Sequence, residues 1–574
     1  MYTACTNPLK EEYDAIVVGT GISGGWAAKE LCEHGLKTLV LERGRMVKHI
    51  EDYPTAHLDP WDFPNGDVAT RETKERMHKQ HRTGYVTRES RKHFFVDDLK
   101  HPYNEKKRFD WIRGYHVGGR SLMWGRQSYR LSDIDFEANK KEGIAIDWPV
   151  RYKDIEPWYD KVEEFIGVSG ENLGLEVLPD QKLLKPMNLN CVEKHLKSKI
   201  SEKFEDGRLL TIGRTAHITE GTKPGMGRST CQYRNRCMRG CPFGAYFSSN
   251  SSTLPAAEAT GNMSLRPNSI VHEVIYDDTT KKAIGVRVID AETKEIFVYK
   301  AKVIFLCAST VASASILLQS KSERFPNGLG NDSGELGHNI MDHHFHVGAR
   351  AKADGFEDKI NKGRRPNGLY IPRFRNLGGN TDTKKFKRGY GYQGGATRSS
   401  ISELVAELKY GPELKEAILK PGEWNVNLLA FGETLPDHKN RMYLDYDKLD
   451  EWGLPTVTFD ADFGENELAM RKDMQEQAVK MLTAAGFKDV EGYDKEEGRA
   501  MGLGIHEMGT ARMGRDPKTS VLNENNQIHA CTNVYVTDGS FMTSAACHNP
   551  SLGYMAFTAR AANHAAEQLK KNNA

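Results

Sequence analysis

Nine cysteines in 574 residues are far too few to staple a fold of this length, so a disulfide scaffold is excluded. Charge of one sign is missing too: 80 Lys and Arg against 78 Asp and Glu leave +2, no field for holding nucleic acid or an anionic membrane. There is no long hydrophobic run. The best stretch, Val303 to Leu318 (VIFLCASTVASASILL), is short for a membrane span and carries Ser and Thr, so an integral membrane protein is not expected. The N-terminal MYTACTNPLKEEYDA has no apolar core, and the one Arg-Arg pair, Arg364-Arg365, lies mid-chain. The expectation is a cytoplasmic protein, or one exported to the periplasm on a partner that carries the signal. Internal repeats, a Walker loop and a H-E-x-x-H motif are absent as well. What is present is an ordinary globular balance, 38% hydrophobic and 28% charged, with 22 Phe, 22 Tyr and 8 Trp. That supplies core for about two to four domains.

From Tyr13 the chain reads YDAIVVGTGISGGWAAKELCEHGLKTLVLERG. Ala15 to Val18 predicts a short buried strand, Trp26 to His34 a helix stopped by Gly35, and Thr38 to Leu41 a second strand ending at Glu42. Gly19, Gly21 and Gly24 form G-x-G-x-x-G between strand and helix, the setting in which backbone can approach a pyrophosphate at a helix N-terminus. Glu42, 18 residues beyond Gly24, is placed to accept from an adenosine ribose, and its charge argues against a 2′-phosphate. The ligand is therefore FAD or NAD; the bland alternative is a glycine turn that merely packs a helix on a strand. At the other end, Asn533 to Thr537 predicts a strand, followed by Asp538-Gly539-Ser540 and a helix from Pro550 to about Leu569. Flavoproteins close their FAD domain in a similar way, with a helix N-terminus near the reduced ring's negative edge.

Residues 231 to 242 read CQYRNRCMRGCP, placing Cys231, Cys237 and Cys241 in C-x5-C-x3-C spacing with Pro242 after the last. Compact thiolate loops of this kind hold iron–sulfur clusters. Arg234, Arg236 and Arg239 lie between the cysteines, where they favour thiolates and offset cluster charge. A disulfide plus one free thiol, a three-cysteine zinc site and chance clustering are the other readings.

Further segments carry a resemblance over nearly the whole chain. GGRSLMWGRQSYR (Gly118 to Arg130), SGELGHNIMDHH (Ser333 to His344), GIHEMGTARMG (Gly504 to Gly514) and CHNPSLGYMAF (Cys547 to Phe557) resemble the signature segments of the glucose–methanol–choline (GMC) oxidoreductases. The resemblance implies an α/β fold: a Rossmann-like FAD-binding domain (residues 1–150, 231–340 and 500–574) and a sheet-plus-helices substrate domain (151–230 and 341–499). It places Gly118, Gly119 and Ser121 along the flavin, beside Gly19, Gly21, Gly24, Glu42, Asp538, Gly539 and Pro550. Where some members tether FAD covalently through His, this chain has Met123, implying non-covalent flavin. In the family a His in HxxGT faces a His or Asn about 43 residues on; here His506 pairs with Asn549 at that spacing. His506 is then the base that takes the hydroxyl proton and Asn549 the group that holds the oxygen. His548 is the rival for the second role, since adjacent residues point to different sides. The cysteine loop resembles that of family dehydrogenases holding a 3Fe–4S cluster on three Cys, which pass electrons to a cytochrome-type acceptor and work with a small subunit. The implied activity is oxidation of a sugar secondary alcohol to a ketone, at C3 of glucosides in the most similar members. Oxidation at C1 or C2, an oxygen-dependent pyranose or alcohol oxidase, and an electron-carrying subunit without sugar chemistry remain as alternatives. Glu433, Asn440 and Arg441 (FGETLPDHKNRMYL) resemble a family strand region, where Glu433 reaches substrate hydroxyls or braces a sheet edge; Arg71 to Lys92 reads as a solvated charged segment or a docking surface.

Overall fold

The computed structural model describes residues 12–84, 86–360, 367–398, 411–419 and 422–573. Arg364 and Arg365 lie outside them. Ala15 to Val18 is buried on both faces, as a strand covered from both sides must be. It belongs to a parallel sheet in the order Cys531–Val536, Ile296–Leu306, Glu12–Val18, Thr38–Leu41, Met263–Arg266. Strand alternation sorts its residues. Ala15 and Val17 pack under the helices Ile22–Glu33, Thr253–Ala259 and Ser551–Asn573, while Ile16 and Val18 face the helix Thr310–Gln319 and an antiparallel meander. Ser269–Asp277 and Lys282–Asp290 form that meander, which returns into Ile296–Leu306.

The helix expected from Trp26 starts earlier, at Ile22, and ends at Glu33. Gly24 and Gly25 fall in its first turn, where close packing outweighs their low helix propensity. Gly35 stops it with φ of 84°. The closing strand is Cys531–Val536, and the last helix is Ser551–Asn573, with Pro550 immediately ahead of it. Val303 to Leu318 is the end of one strand and most of the helix Thr310–Gln319. Among the described residues no helix is long and apolar enough to cross a membrane.

A second sheet is antiparallel throughout, in the order Lys488–Asp494, Val347–Ala353, Trp424–Gly432, Tyr390–Arg398, Leu369–Ile371, Thr211–Ile212. Its Tyr392, Leu428 and Ala430 pack against the helices Cys191–Lys203 and Glu465–Ala484. The opposite parity brings Gln393 and Phe431 to the cavity between the two sheets. The helix Tyr152–Ile166 joins the core of the first sheet, packing on the C-terminal helix through Ile155, Tyr159, Val162 and Ile166. Arg71–Arg76 is a short exposed helix, and Lys92–Phe94 a single turn.

Candidate active site

Strand order reverses at Glu12–Val18, which has Thr38–Leu41 on one side and Ile296–Leu306 on the other. A crevice opens beyond such a switch point. Here it is a cavity of about 520 Å³, lined by Gly19, Gly21, Glu42, Gly119, Ser121, Asp538 and Gly539 toward one end and His506 and Asn549 toward the other. The glycines divide the work. A Cβ on Gly24 would stand 1.9 Å from the Gly19 carbonyl oxygen, so this residue lets the helix settle on the strand. Gly21 would meet nothing within 4 Å; it faces open cavity at a helix N-terminus that no side chain caps. An anionic phosphate fits that position.

Glu42 is buried and its carboxylate accepts from the Gly44 amide at 3.0 Å, the Thr20 amide at 3.1 Å and the Thr20 hydroxyl. Burial raises its carboxyl above the usual range, against those three donors. The Thr20 hydroxyl oxygen also accepts from the Gly118 amide at 2.9 Å, tying the second glycine turn to the first. Ser121 donates to the Gly118 carbonyl at 2.6 Å and accepts from the Ser249 amide at 3.0 Å, so its hydroxyl holds the turn. Asp538 accepts from the Ser540 amide at 3.1 Å and from the hydroxyls of Ser540 and Ser313. Pro550 lies outside the cavity lining; its carbonyl accepts from the Tyr554 amide at 3.0 Å and starts the last helix. An acidic residue, an uncapped helix N-terminus and a long cavity in sequence suit a dinucleotide.

The far end is a chain of hydrogen bonds. Gln393 Nε2 donates to Asn549 Oδ1 at 2.6 Å, which turns the Asn549 amide nitrogen toward His506 Nε2 at 3.2 Å. His506 Nδ1 lies 2.9 Å from His343 Nδ1, and His343 Nε2 lies 3.0 Å from the Ala546 carbonyl oxygen. A carbonyl only accepts, so neutral His343 carries its proton on Nε2 and accepts at Nδ1. His506 must then carry its proton on Nδ1, leaving the Nε2 lone pair toward Asn549. Burial, with His343 and Arg120 nearby, holds the His506 pKa well below the usual 6.5, so the ring is neutral. Burial likewise takes His343 down to about 4. Asp342 accepts from the amides of Gly504 and His506, both at 2.9 Å, and fixes the turn that presents the imidazole. Burial, with the Glu507 carboxylate close by, pushes the Asp342 carboxyl up to about 7.

Several of these residues escaped the sequence reading. His343 and Asp342 sit in the quoted segment MDHH, but adjacent His and Asp give no sign of which is turned inward. Gln393 comes from a strand of the second sheet with no motif at all. Arg120, one residue before Ser121, lines the cavity and pairs with buried Glu507 at 3.1 and 2.8 Å. His548 points away from the cavity, fully buried with Nδ1 3.9 Å from Asp135. Glu433 is buried beside the Arg388 guanidinium at 3.4 Å and is not part of the cavity lining. Asn440 bonds the Asp462 backbone at 3.0 Å in both directions, and Arg441 covers the ring of Tyr443.

Cys231, Cys237 and Cys241 lie together, lining a second cavity of about 30 Å³ with His217. All three are free thiols. Burial raises Cys231 to about 11 and also raises Cys237, while the Arg126 charge pulls both down. Of the loop's own arginines, Arg234 donates to the Ala56 carbonyl, Arg236 pairs with Asp59, and Arg239 donates to the Leu58 carbonyl at 2.8 Å. They chiefly strap the loop down, and Arg126 is the leading cation on Cys237. Among the described residues no three His, Cys, Asp or Glu side chains converge as they would on a single ion. Met238 lines the large cavity and its chain neighbour Cys237 the small one.

Two family models described as GMC oxidoreductase match residues 13–345 and 436–558. The fructose dehydrogenase large subunit of Gluconobacter japonicus is 24% identical, covering 97% of this chain and 98% of that protein. The 2-methyl-1,2-propanediol dehydrogenase of Mycolicibacterium austroafricanum is 25% identical over 96% of this chain and 95% of that one. Formate oxidase of Aspergillus oryzae has a similar structure, with a TM-score of 0.60 at 13% identity, covering 98% of this chain and 99% of its own, a likeness of fold. With the switch-point cavity and the His506–Asn549 pair at its end, these matches establish that the chain belongs to the GMC oxidoreductases, an FAD-binding family of enzymes that act on alcohol donors.

Proposed function

We propose that this protein is a dehydrogenase that oxidises a secondary alcohol of a sugar to a ketone, at C3 of glucosides. The observation that carries the reading is the meeting of two groups at the end of the cavity: the Nε2 lone pair of His506, with no proton of its own, and the amide donor of Asn549, 3.2 Å apart. An alcohol oxygen that replaces this direct contact gives its proton to Nε2 and accepts from Nδ2. The C–H bond breaks as C=O forms, and FAD supplies the acceptor for the departing hydride. Gln393 keeps Asn549 turned the right way, and His343 keeps the His506 lone pair on the substrate side. Amides of Gln127, Asn367 and Gln393 and the rings of Phe345 and Phe431 line the same cavity, a wall suited to a neutral polyol. A fructose dehydrogenase subunit among the relatives supports a sugar substrate. Met123 lines the cavity with a thioether that forms no flavin link, which supports non-covalent FAD.

In this reading Cys231, Cys237 and Cys241 would hold a 3Fe–4S cluster, which would supply a one-electron exit toward an external acceptor. Three free thiols around one cavity, with Cys237 one residue from the Met238 that lines the large cavity, support it. A multi-iron cluster spreads its thiolates over separate irons, so they need not converge on one ion. The proposal includes the expected two-domain division, a small subunit with a cytochrome-type acceptor as partners, and a periplasmic site reached by co-export.

The test is an anaerobic visible spectrum with iron and sulfide analysis. Flavin bands over a broad shoulder, both bleached by methyl glucoside, are expected. Iron-free protein that makes peroxide at its turnover rate would overturn the dehydrogenase reading in favour of an oxidase.

A further inference from the structure

Fourteen residues ahead of Cys231, outside the cysteine loop, stands His217. It is 1% exposed and forms one wall of the cysteine cavity. Its Nδ1 lies 2.9 Å from the Thr215 hydroxyl oxygen, and its Nε2 lies 3.8 Å from the Cys237 sulfur. The backbone holds it there: the Ile218 amide donates to the Ala245 carbonyl at 2.8 Å, and the Cys231 amide donates to the Ile218 carbonyl at 2.8 Å. The start of the cysteine loop is thus tied to the residue beside His217, and ring and sulfur share one frame. The charged side chains that act on the ring are Arg126 and Arg228.

We infer that His217 donates its Nε2–H to the Cys237 sulfur and thereby sets the reduction potential of the cluster that Cys231, Cys237 and Cys241 hold. The inference rests on the iron–sulfur reading of that loop. A metal-bound thiolate accepts only, so the Nε2 that faces it carries a proton, and the Thr215 hydroxyl, which can act either way, pairs with Nδ1. A hydrogen bond to a ligating sulfur draws off electron density and favours the reduced, more negative cluster, which raises the potential. This places the residue that tunes the electron exit outside the cysteine motif.

The experiment is an EPR-monitored redox titration of the holoenzyme, with iron, sulfide and FAD counted in each variant. His217→Leu is expected to keep wild-type iron and FAD and to titrate at a more negative potential. His217→Gln, which retains an N–H donor, moves back toward wild type. Thr215→Val leaves the ring in place, guards against a folding defect at position 217, and shifts the potential in the same direction by less. An unchanged potential in a fully loaded His217→Leu protein overturns the inference alone. Loss of iron from that variant with FAD retained overturns it too, by making His217 a ligand. Wild-type protein without iron or sulfide removes the cysteine reading and this inference with it.

Discussion

His343 and His506 face one another through their Nδ1 atoms at 2.9 Å, with ring planes 76° apart. Two donors cannot share that line, and His343 has committed its proton to the Ala546 carbonyl. His343 therefore chooses the tautomer of the base without facing the substrate. In His343→Leu the imidazole of His506 is free to hold its proton on either nitrogen. The rate constant for flavin reduction should fall by about 10²-fold, with KM nearly unchanged and FAD content normal. Stopped-flow reduction measures this; a wild-type rate would remove His343 from the mechanism.

Removing the base itself costs more. His506→Ala should lower kcat by roughly 10²–10⁴-fold while FAD still binds. Asn549→Asp is the sharper probe. It replaces an amide donor with a carboxylate facing the Nε2 lone pair, which draws a proton onto that nitrogen and spends the base near neutral pH. Asn549→Asp should be less active than Asn549→Ala at pH 7 and regain activity as pH rises. Equal activity of the two variants across the range would show that Nε2 does not face residue 549.

Asp342 gives the wild-type enzyme its own pH dependence. Its carboxyl is raised to about 7, so it is neutral below that pH and ionised above it. The ionised form accepts stronger hydrogen bonds from the Gly504 and His506 amides and holds the base-bearing turn more firmly. Activity should rise with pH through about 7, while neutral His506 contributes no limb there because its own pKa lies well below 6.5. In Asp342→Asn that rise should vanish, leaving a low, flat profile of kcat/KM against pH. A limb that survives the substitution belongs to another group.

The first strand, the glycine loop and Glu42 were legible in the sequence because their geometry is local: one βαβ unit contains its own ligand logic. The pairing of His506 with Asn549 was legible only through a family spacing, since the cavity brings them together across 43 residues of chain. Gln393 and His343 were not legible. Each works through a partner on a different segment, and nothing in GYGYQGGATR or MDHH says which side chain faces inward. The cysteine loop shows the opposite failure. Its three arginines suggested a local cationic cage, yet they chiefly strap the loop to residues 56–59, and the leading charge on Cys237 comes from Arg126, more than a hundred residues earlier.

Gly21 and Gly24 share one motif but should fail in different ways. At Gly24 a methyl group would stand 1.9 Å from the Gly19 carbonyl oxygen, backbone against backbone, so strand and helix must separate. Gly24→Ala should therefore destabilise the protein by roughly 1–3 kcal/mol, seen as a lower urea midpoint. At Gly21 the same methyl group meets no protein atom within 4 Å and points into the space a phosphate would occupy. Gly21→Ala should keep the urea midpoint of wild-type apoprotein and bind FAD about tenfold or more weakly, a loss of about 1.4 kcal/mol. Titrating apoprotein with FAD by flavin fluorescence separates the two. If Gly21→Ala binds FAD as tightly as wild type, the pyrophosphate does not lie at this helix N-terminus.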